Sequence, residues 1–296
     1  MKRLRVYLLL MRPANIVTSV ADVLAGIAIS GIFLQETLAD GTIGNIILLC
    51  LATIGLYGGG IVFNDVFDYE LDRIERPERV IPSGQMSLKG ASALASSLLA
   101  FGIIMALLVN ITAAWFAIFI SISALVYNKW GKHHPLLGPP NMGLCRGLNL
   151  LLGVSILPAA LAGIWYVALV PILYISAITM ISRGEVHGSG KRPLYGALAL
   201  YSLVILMILI FAWNKGMIAF VVPFLAAFAW MIFNPLIKAI DTPTGPAIGK
   251  SVKAGVMALI LMNSAWAAST GAWSLAIFII FLLPLSLWLS RRFAVT

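Results

Sequence analysis

Residues Asn64 to Gly84 read NDVFDYELDRIERPERVIPSG and hold most of the acid in an otherwise oily chain. Of eleven Asp and Glu residues, six (Asp65, Asp68, Glu70, Asp72, Glu75 and Glu78) fall within fourteen positions. The stretch follows an apolar run, Asn45 to Phe63, long enough to cross a bilayer, so the carboxylates sit where a helix leaves the membrane. Spacings of three and four residues from Asp65 to Asp68 to Asp72 place these three on one side of a continuing helix. Without a counter-charge they repel one another. Hard oxygen ligands in this pattern suit Mg²⁺, which binds few carboxylates, keeps several waters and shares the rest of its shell with substrate phosphates. The bland alternative is a solvated acidic loop that happens to follow a membrane helix.

Working outward, a chain of 296 residues that is 61% hydrophobic and 10% charged is not a soluble domain. Mean hydropathy of +1.00 agrees. Hydropathy predicts an all-α polytopic membrane bundle, one domain over 1–296, with about ten membrane helices. The ten expected spans are 14–34, 44–64, 88–109, 112–128, 141–162, 165–182, 194–213, 216–236, 251–269 and 272–290. Helices are expected because the segments are continuously apolar and each must satisfy its own backbone in lipid. The start, MKRLRVYLLLMRPAN, lacks a compact apolar core followed by a small-residue cleavage site, so the first span is expected to remain. Cys50 and Cys145 lie in apolar surroundings and read as small buried hydrophobes.

Basic residues assign the sides. Lys2, Arg3, Arg5 and Arg12 precede the first span, and Arg73, Arg76, Arg79 and Lys89 follow the second. Lys129, Lys132 and Arg146 flank the loop after the fourth; Arg183, Lys191 and Arg192 follow the sixth. Lys238, Lys250 and Lys253 follow the eighth, and Arg291 and Arg292 close the chain. The intervening loops carry only Lys215. The positive-inside rule then makes both termini and the acidic loop cytoplasmic, in a bacterial inner membrane. The net charge of +9 is thus explained by orientation, with no nucleic-acid partner expected.

Asn64, Asp65, Asp68 and Asp72 form N-D-x-x-D-x-x-x-D, followed by Arg79 and Ile81-Pro82-Ser83-Gly84. This closely resembles the first aspartate-rich motif of the UbiA superfamily of intramembrane prenyltransferases, in residue type, spacing and placement after the second membrane helix. The resemblance implies that the motif binds Mg²⁺ and, through it, the diphosphate of a prenyl donor. It also implies a second acidic motif after the sixth helix, often D-x-E-G-D, and usually nine spans, hence nine to ten here, around a central cavity. The corresponding loop here, ISRGEVHGSGKRPL, keeps the first acid as Glu185 and has His187 and Ser189 where the other acids stand. A second metal site there is expected to be weaker, since imidazole and hydroxyl bring no negative charge.

The family's first helix carries an Asn lining the cavity, which implies that role for Asn15, the alternative being helix capping or packing. Asp22, seven residues on, must pair, face a cavity or stay protonated, and is read as cavity-facing. Asn149 and Asn263 read as interhelical hydrogen-bond formers. In the loop YNKWGKHHPLLGPPNMGLCRGLN the family commonly has a Tyr with a Lys four residues later. Tyr127 is instead followed by Lys129 and Lys132, at two and five. Lys132 and Arg146 are candidate diphosphate contacts, the first as a point charge and the second as a fork. Adjacent His133 and His134 diverge on a helix and read as loop residues.

These readings combine into transfer of a prenyl group from an isoprenyl diphosphate to an unknown acceptor within the bilayer, with Mg²⁺ as cofactor. Asp65, Asp68, Asp72 and Glu185 are the expected metal-holding and catalytic residues. Asn15, Asn64, Arg79, Lys132, Arg146, Arg183, His187, Lys191 and Arg192 are the expected substrate contacts, with His187 also a candidate base. The alternative from another class is a transporter or accessory protein on the same scaffold, suggested by the eroded second motif. A CDP-alcohol phosphotransferase is set aside because its D-G-x-x-A-R signature is absent. Within the superfamily, Arg12-Pro13-Ala14-Asn15, Cys145-Arg146-Gly147 and the SRGEVHG loop look most like the UbiA-like EboC group.

Overall fold

The computed structural model describes residues 2–35, 39–134, 136–185 and 188–293; the side chains of Lys2, Arg3 and His133 lie outside that description. Among the described residues there is no strand. The helices are α1 (Lys2–Met11), α2 (Pro13–Ile29), α3 (Thr42–Phe67), α4 (Tyr69–Glu75), α5 (Leu88–Val109), α6 (Ile111–Lys129) and α7 (Gly138–Val154). After the short α8 (Leu161–Ile164) come α9 (Leu169–Ser182), α10 (Lys191–Asn214), α11 (Ile218–Asp241), α12 (Gly245–Ala268) and α13 (Trp273–Arg292). Among the described residues, eight segments are long and apolar enough to cross a membrane, nine if the bent pair α1 and α2 counts as one.

The expected span 141–162 is where the architecture departs most from the hydropathy pattern. Helix α7 has 17 residues and ends at Val154. The Ser155 hydroxyl donates back to the Leu152 carbonyl at 2.6 Å, and Pro158 then opens a run of short helical turns leading into α9. A proline without an N–H and a serine that takes up a helical carbonyl both favour a break there.

Helices α2, α3, α6, α7, α9 and α12 enclose the middle of the bundle. Helix α5 covers α3, α10 packs between α9 and α11, and α13 lies against α2 and α12. Helix α12 is buried continuously from Met257 to Ala268. Between helices that share an apolar solvent with their surroundings, close packing replaces the hydrophobic effect as the driving force, so small residues set the tightest crossings. The tightest is α2 against α7. A Cβ on Gly26 would sit 2.0 Å from the Leu150 carbonyl oxygen, and one on Gly153 would sit 2.1 Å from that of Val23.

The entry to α2 is strained. Arg12 adopts φ 46° and ψ 69°, the one non-glycine with positive φ among the described residues, and the axes of α1 and α2 meet there at 56°. Pro13 disfavours the right-handed helical region for the residue before it, which explains why the chain kinks at Arg12. A left-handed non-glycine residue costs on the order of 1–3 kcal/mol and persists where the surroundings over-determine it.

Gly153→Ala is expected to destabilise the protein by about 1–3 kcal/mol, because neither backbone at the α2–α7 crossing has room to retreat. Gly163→Ala, where an added Cβ meets nothing within 4 Å, is expected to have no such effect. Thermal midpoints of the purified variants in detergent check the difference.

Candidate functional site

Each of the three motif aspartates is held by a cation from a different part of the chain. The Arg12 guanidinium, at the kink before α2, donates to Asp65 Oδ1 at 2.6 Å. Lys132, in the turn after α6, donates to Asp68 Oδ1. Arg79, on the loop after α4, reaches both Asp72 oxygens through Nη1, at 2.8 and 3.1 Å, and lies 3.5 Å from Asp65.

Local backbone explains why the acids converge. Asp68 ends α3 with φ −86° and ψ 0°, yet its N–H still bonds to the Asn64 carbonyl at 3.0 Å and its own carbonyl accepts from Asp72 at 2.8 Å. The helix therefore bends at Asp68 without losing its register. Asp65 and Asp72 share one arginine, while Asp68 turns to the lysine. Tight turns then carry Arg79 back over the acids, closing at Gly84 with φ 76°.

Two cavities meet at Arg12. The outer one, about 430 Å³, is lined by Arg12, Asp65, Arg76, Glu78, Arg79 and Gln85, with Leu9 and Val80. The inner one, about 260 Å³, runs between the six enclosing helices. Its mouth carries Arg12, Asn15, Asn64, Tyr127 and Asn128, and its depth is lined by Leu56, Ile120, Ile175, Ile178 and Leu259, with Tyr57 and Arg146 on the wall. A charged chamber thus opens onto an apolar one.

Asn64 donates to Asn128 Oδ1 at 3.1 Å, and Asn128 donates to the Gly60 carbonyl at 2.9 Å, so the mouth is fixed across α3 and α6. Arg183 is exposed and donates to the His134 carbonyl at 3.2 Å, tying the end of α9 to the turn after α6. Glu185 is half-buried in the turn after α9. Burial holds its carboxyl above the usual carboxylate range, and Arg76 on the acidic loop opposes that shift. Lys191 and Arg192 open α10 exposed and line neither cavity. His187 lies outside the described residues. Among the described residues no three His, Cys, Asp or Glu side chains are grouped closely enough to hold a metal ion as they stand, and each motif aspartate is paired with a cation.

Two sequence readings are corrected in the bundle core. Asp22 was expected to face the cavity; its side chain is 1% exposed and is paired to Arg146, whose Nη1 lies 2.6 Å from Asp22 Oδ2. Arg146 was expected at the diphosphate, but it stacks 4.5 Å over the Tyr57 ring, and Tyr57 lies eight residues before Asp65. That separation is about 12 Å along a helix, too deep for a phosphate held at the acids. Thr18 accepts from Arg146 Nη2 at 2.6 Å, Asn263 donates to Asp22 Oδ1 at 2.7 Å, and Asn149 reaches Asp22 at 3.2 Å and the Ser19 carbonyl at 2.9 Å. The interhelical roles expected for Asn149 and Asn263 are therefore found. Sequence reasoning missed Arg12, Asn128 and Tyr57. The one available signal for Arg12 was a cation directly before proline at the head of a span.

Residues 23–244 match the model of the UbiA prenyltransferase family. Digeranylgeranylglyceryl phosphate synthase from Methanosarcina barkeri is 38% identical over 110 residues, which is 37% of this chain and 38% of that one. The same enzyme from Methanoculleus marisnigri is 37% identical over 172 residues, 58% of this chain and 56% of that one. The matched regions thus span about half the length of these relatives or less. A solved UbiA homolog from Archaeoglobus fulgidus, bound to DMAPP and Mg²⁺, superimposes with a TM-score of 0.65 and 16% identity, covering 90% of this chain and 99% of that one.

Replacing Arg79 by Met strands the Asp72 carboxylate, which is 6% exposed, and should cost on the order of 3 kcal/mol. The double variant Arg79→Met with Asp72→Asn should recover part of that loss. Arg73→Met breaks a pair whose side chains are 57% and 79% exposed and should change nothing measurable. Denaturation midpoints of the three variants decide this.

Proposed function

This chain belongs to the UbiA prenyltransferase family, and from that premise we propose that it transfers a prenyl group from an isoprenyl diphosphate to an acceptor inside the membrane. The observation that carries the reading is the pair of cavities joined at Arg12, the outer with acids and guanidinium groups and the inner walled by apolar side chains. A prenyl diphosphate has the same division, a charged head on an oily tail.

The donor set suits Mg²⁺. Asp65, Asp68, Asp72 and Glu185 would supply hard oxygens to it, the three aspartates once they exchange their present partners Arg12, Lys132 and Arg79 for the ion. When bound, Mg²⁺ supplies positive charge that offsets the negative charge growing on the diphosphate as its carbon–oxygen bond breaks. Arg12, Arg79 and Lys132 would then exchange carboxylate partners for phosphate oxygens, so each cation keeps an anionic partner. Asn15 and Asn64 mark the boundary where the head ends and the chain begins. The apolar wall below them excludes water from the allylic cation, which leaves the acceptor as its nucleophile. The names of the relatives make geranylgeranyl diphosphate the first donor to try. The one-sided placement of Lys and Arg supports a cytoplasmic mouth in a bacterial plasma membrane.

Purified protein in detergent is expected to retain radiolabelled geranylgeranyl diphosphate only when Mg²⁺ is present, and to release diphosphate from it when native lipid extract is added. Asp65→Asn and Asp68→Asn should each lower that retention by about tenfold or more. Retention that is indifferent to Mg²⁺ and to both substitutions would remove the basis for prenyl transfer.

A further inference from the structure

The inner cavity has a polar group where an oily tail would have no use for one. Arg146 is 2% exposed and lines the cavity wall. Its two terminal nitrogens are taken by Asp22 and Thr18. Its Nε–H is buried and has no hydrogen-bond partner among the described residues. Buried donors are almost always satisfied, and one left bare at this depth is costly. Tyr57 packs against the same guanidinium at 4.5 Å and also lines the cavity, and its hydroxyl interacts with Arg146 without closing a hydrogen bond on Nε, so an aromatic side chain borders the donor.

We infer that Arg146 and Tyr57 form a subsite for an uncharged oxygen of the acceptor substrate, a hydroxyl, carbonyl or ether, taken by the Arg146 Nε–H about 12 Å below the acidic cluster. Calling the occupant the acceptor rests on the prenyl-transfer reading; the subsite itself rests on the bare donor and the cavity. The oxygen is uncharged because Asp22 already neutralises Arg146 at 2.6 Å. An anionic group here would leave a net negative charge in a low-dielectric core, whereas a neutral oxygen completes the donor at no such cost. Asn149 and Asn263 brace Asp22 from α7 and α12, which keeps the guanidinium fixed with Nε free to serve the ligand.

The test uses the full chain in detergent and three small probes: tritiated 4-propylphenol, with unlabelled propylbenzene and 4-propylbenzoate as competitors. Propylbenzene and 4-propylbenzoate should each compete at least about tenfold less well than unlabelled phenol. In the charge-neutral double variant Asp22→Asn with Arg146→Gln, phenol and propylbenzene should compete equally. In wild-type protein labelled with ¹⁵N-arginine, which needs no variant to fold, the phenol should shift one Arg Nε–H resonance and propylbenzene should leave it in place. Equal competition in the wild type, unchanged discrimination in the double variant, or an Nε–H unmoved by phenol would each overturn the subsite. Mg²⁺-dependent retention of geranylgeranyl diphosphate, scored on the same preparation, reports separately on prenyl transfer.

Discussion

Three carboxylates on three successive helical turns at a membrane boundary cannot stand together unless positive charge is brought to each. That constraint shapes the whole mouth of the bundle. It accounts for the left-handed Arg12, whose strained backbone delivers a guanidinium to Asp65. It accounts for the loop after α4 folding back to set Arg79 on Asp72, and for Lys132 reaching Asp68 from the turn after α6. A chamber assembled this way is charge-balanced when resting. On the proposed reading, its cations are also the groups that would meet an incoming diphosphate, so binding would amount to a change of partners for Arg12, Arg79 and Lys132.

A second buried pair, Asp22 with Arg146, ties the core. Its two residues are 124 apart in sequence and meet because Gly26 and Gly153 let α2 and α7 approach at backbone contact. Thr53 on α3 donates to Asn149 Oδ1 at 2.7 Å, so α2, α3, α7 and α12 share one polar network. Ionisable groups inside a membrane protein are expensive and face the bundle interior or a cavity. Here the network does both, since it joins the helices around the inner cavity and puts Arg146 on its wall.

Much of this was legible in the sequence because it lies in local pattern. The acidic spacing, the membrane helices, the one-sided basic loops and the polar roles of Asn149 and Asn263 all follow from short-range rules. Partner choice across the fold was not legible. Asp22 looked cavity-facing because its counter-charge sits on a helix far along the chain, and Arg146 looked like a phosphate fork because its depth depends on how α7 inserts. Lys132, five residues after Tyr127, missed the family spacing of four; the tight turn Gly131–His133 takes up the difference and still lands it on Asp68. Lys191 and Arg192, read as substrate contacts from their place beside a motif loop, are exposed at the start of α10.

The central claim is that Asp65, Asp68 and Asp72 give up their cations to a divalent ion that in turn holds a diphosphate. Electron spin resonance of Mn²⁺ substituted for Mg²⁺ reads this contact at the atoms concerned. With geranylgeranyl diphosphate present, the account predicts a ³¹P hyperfine coupling on protein-bound Mn²⁺ that vanishes in Asp65→Asn. A Mn²⁺ signal indistinguishable from the ion in buffer, or a phosphorus coupling that survives loss of the aspartate carboxylate, would contradict it.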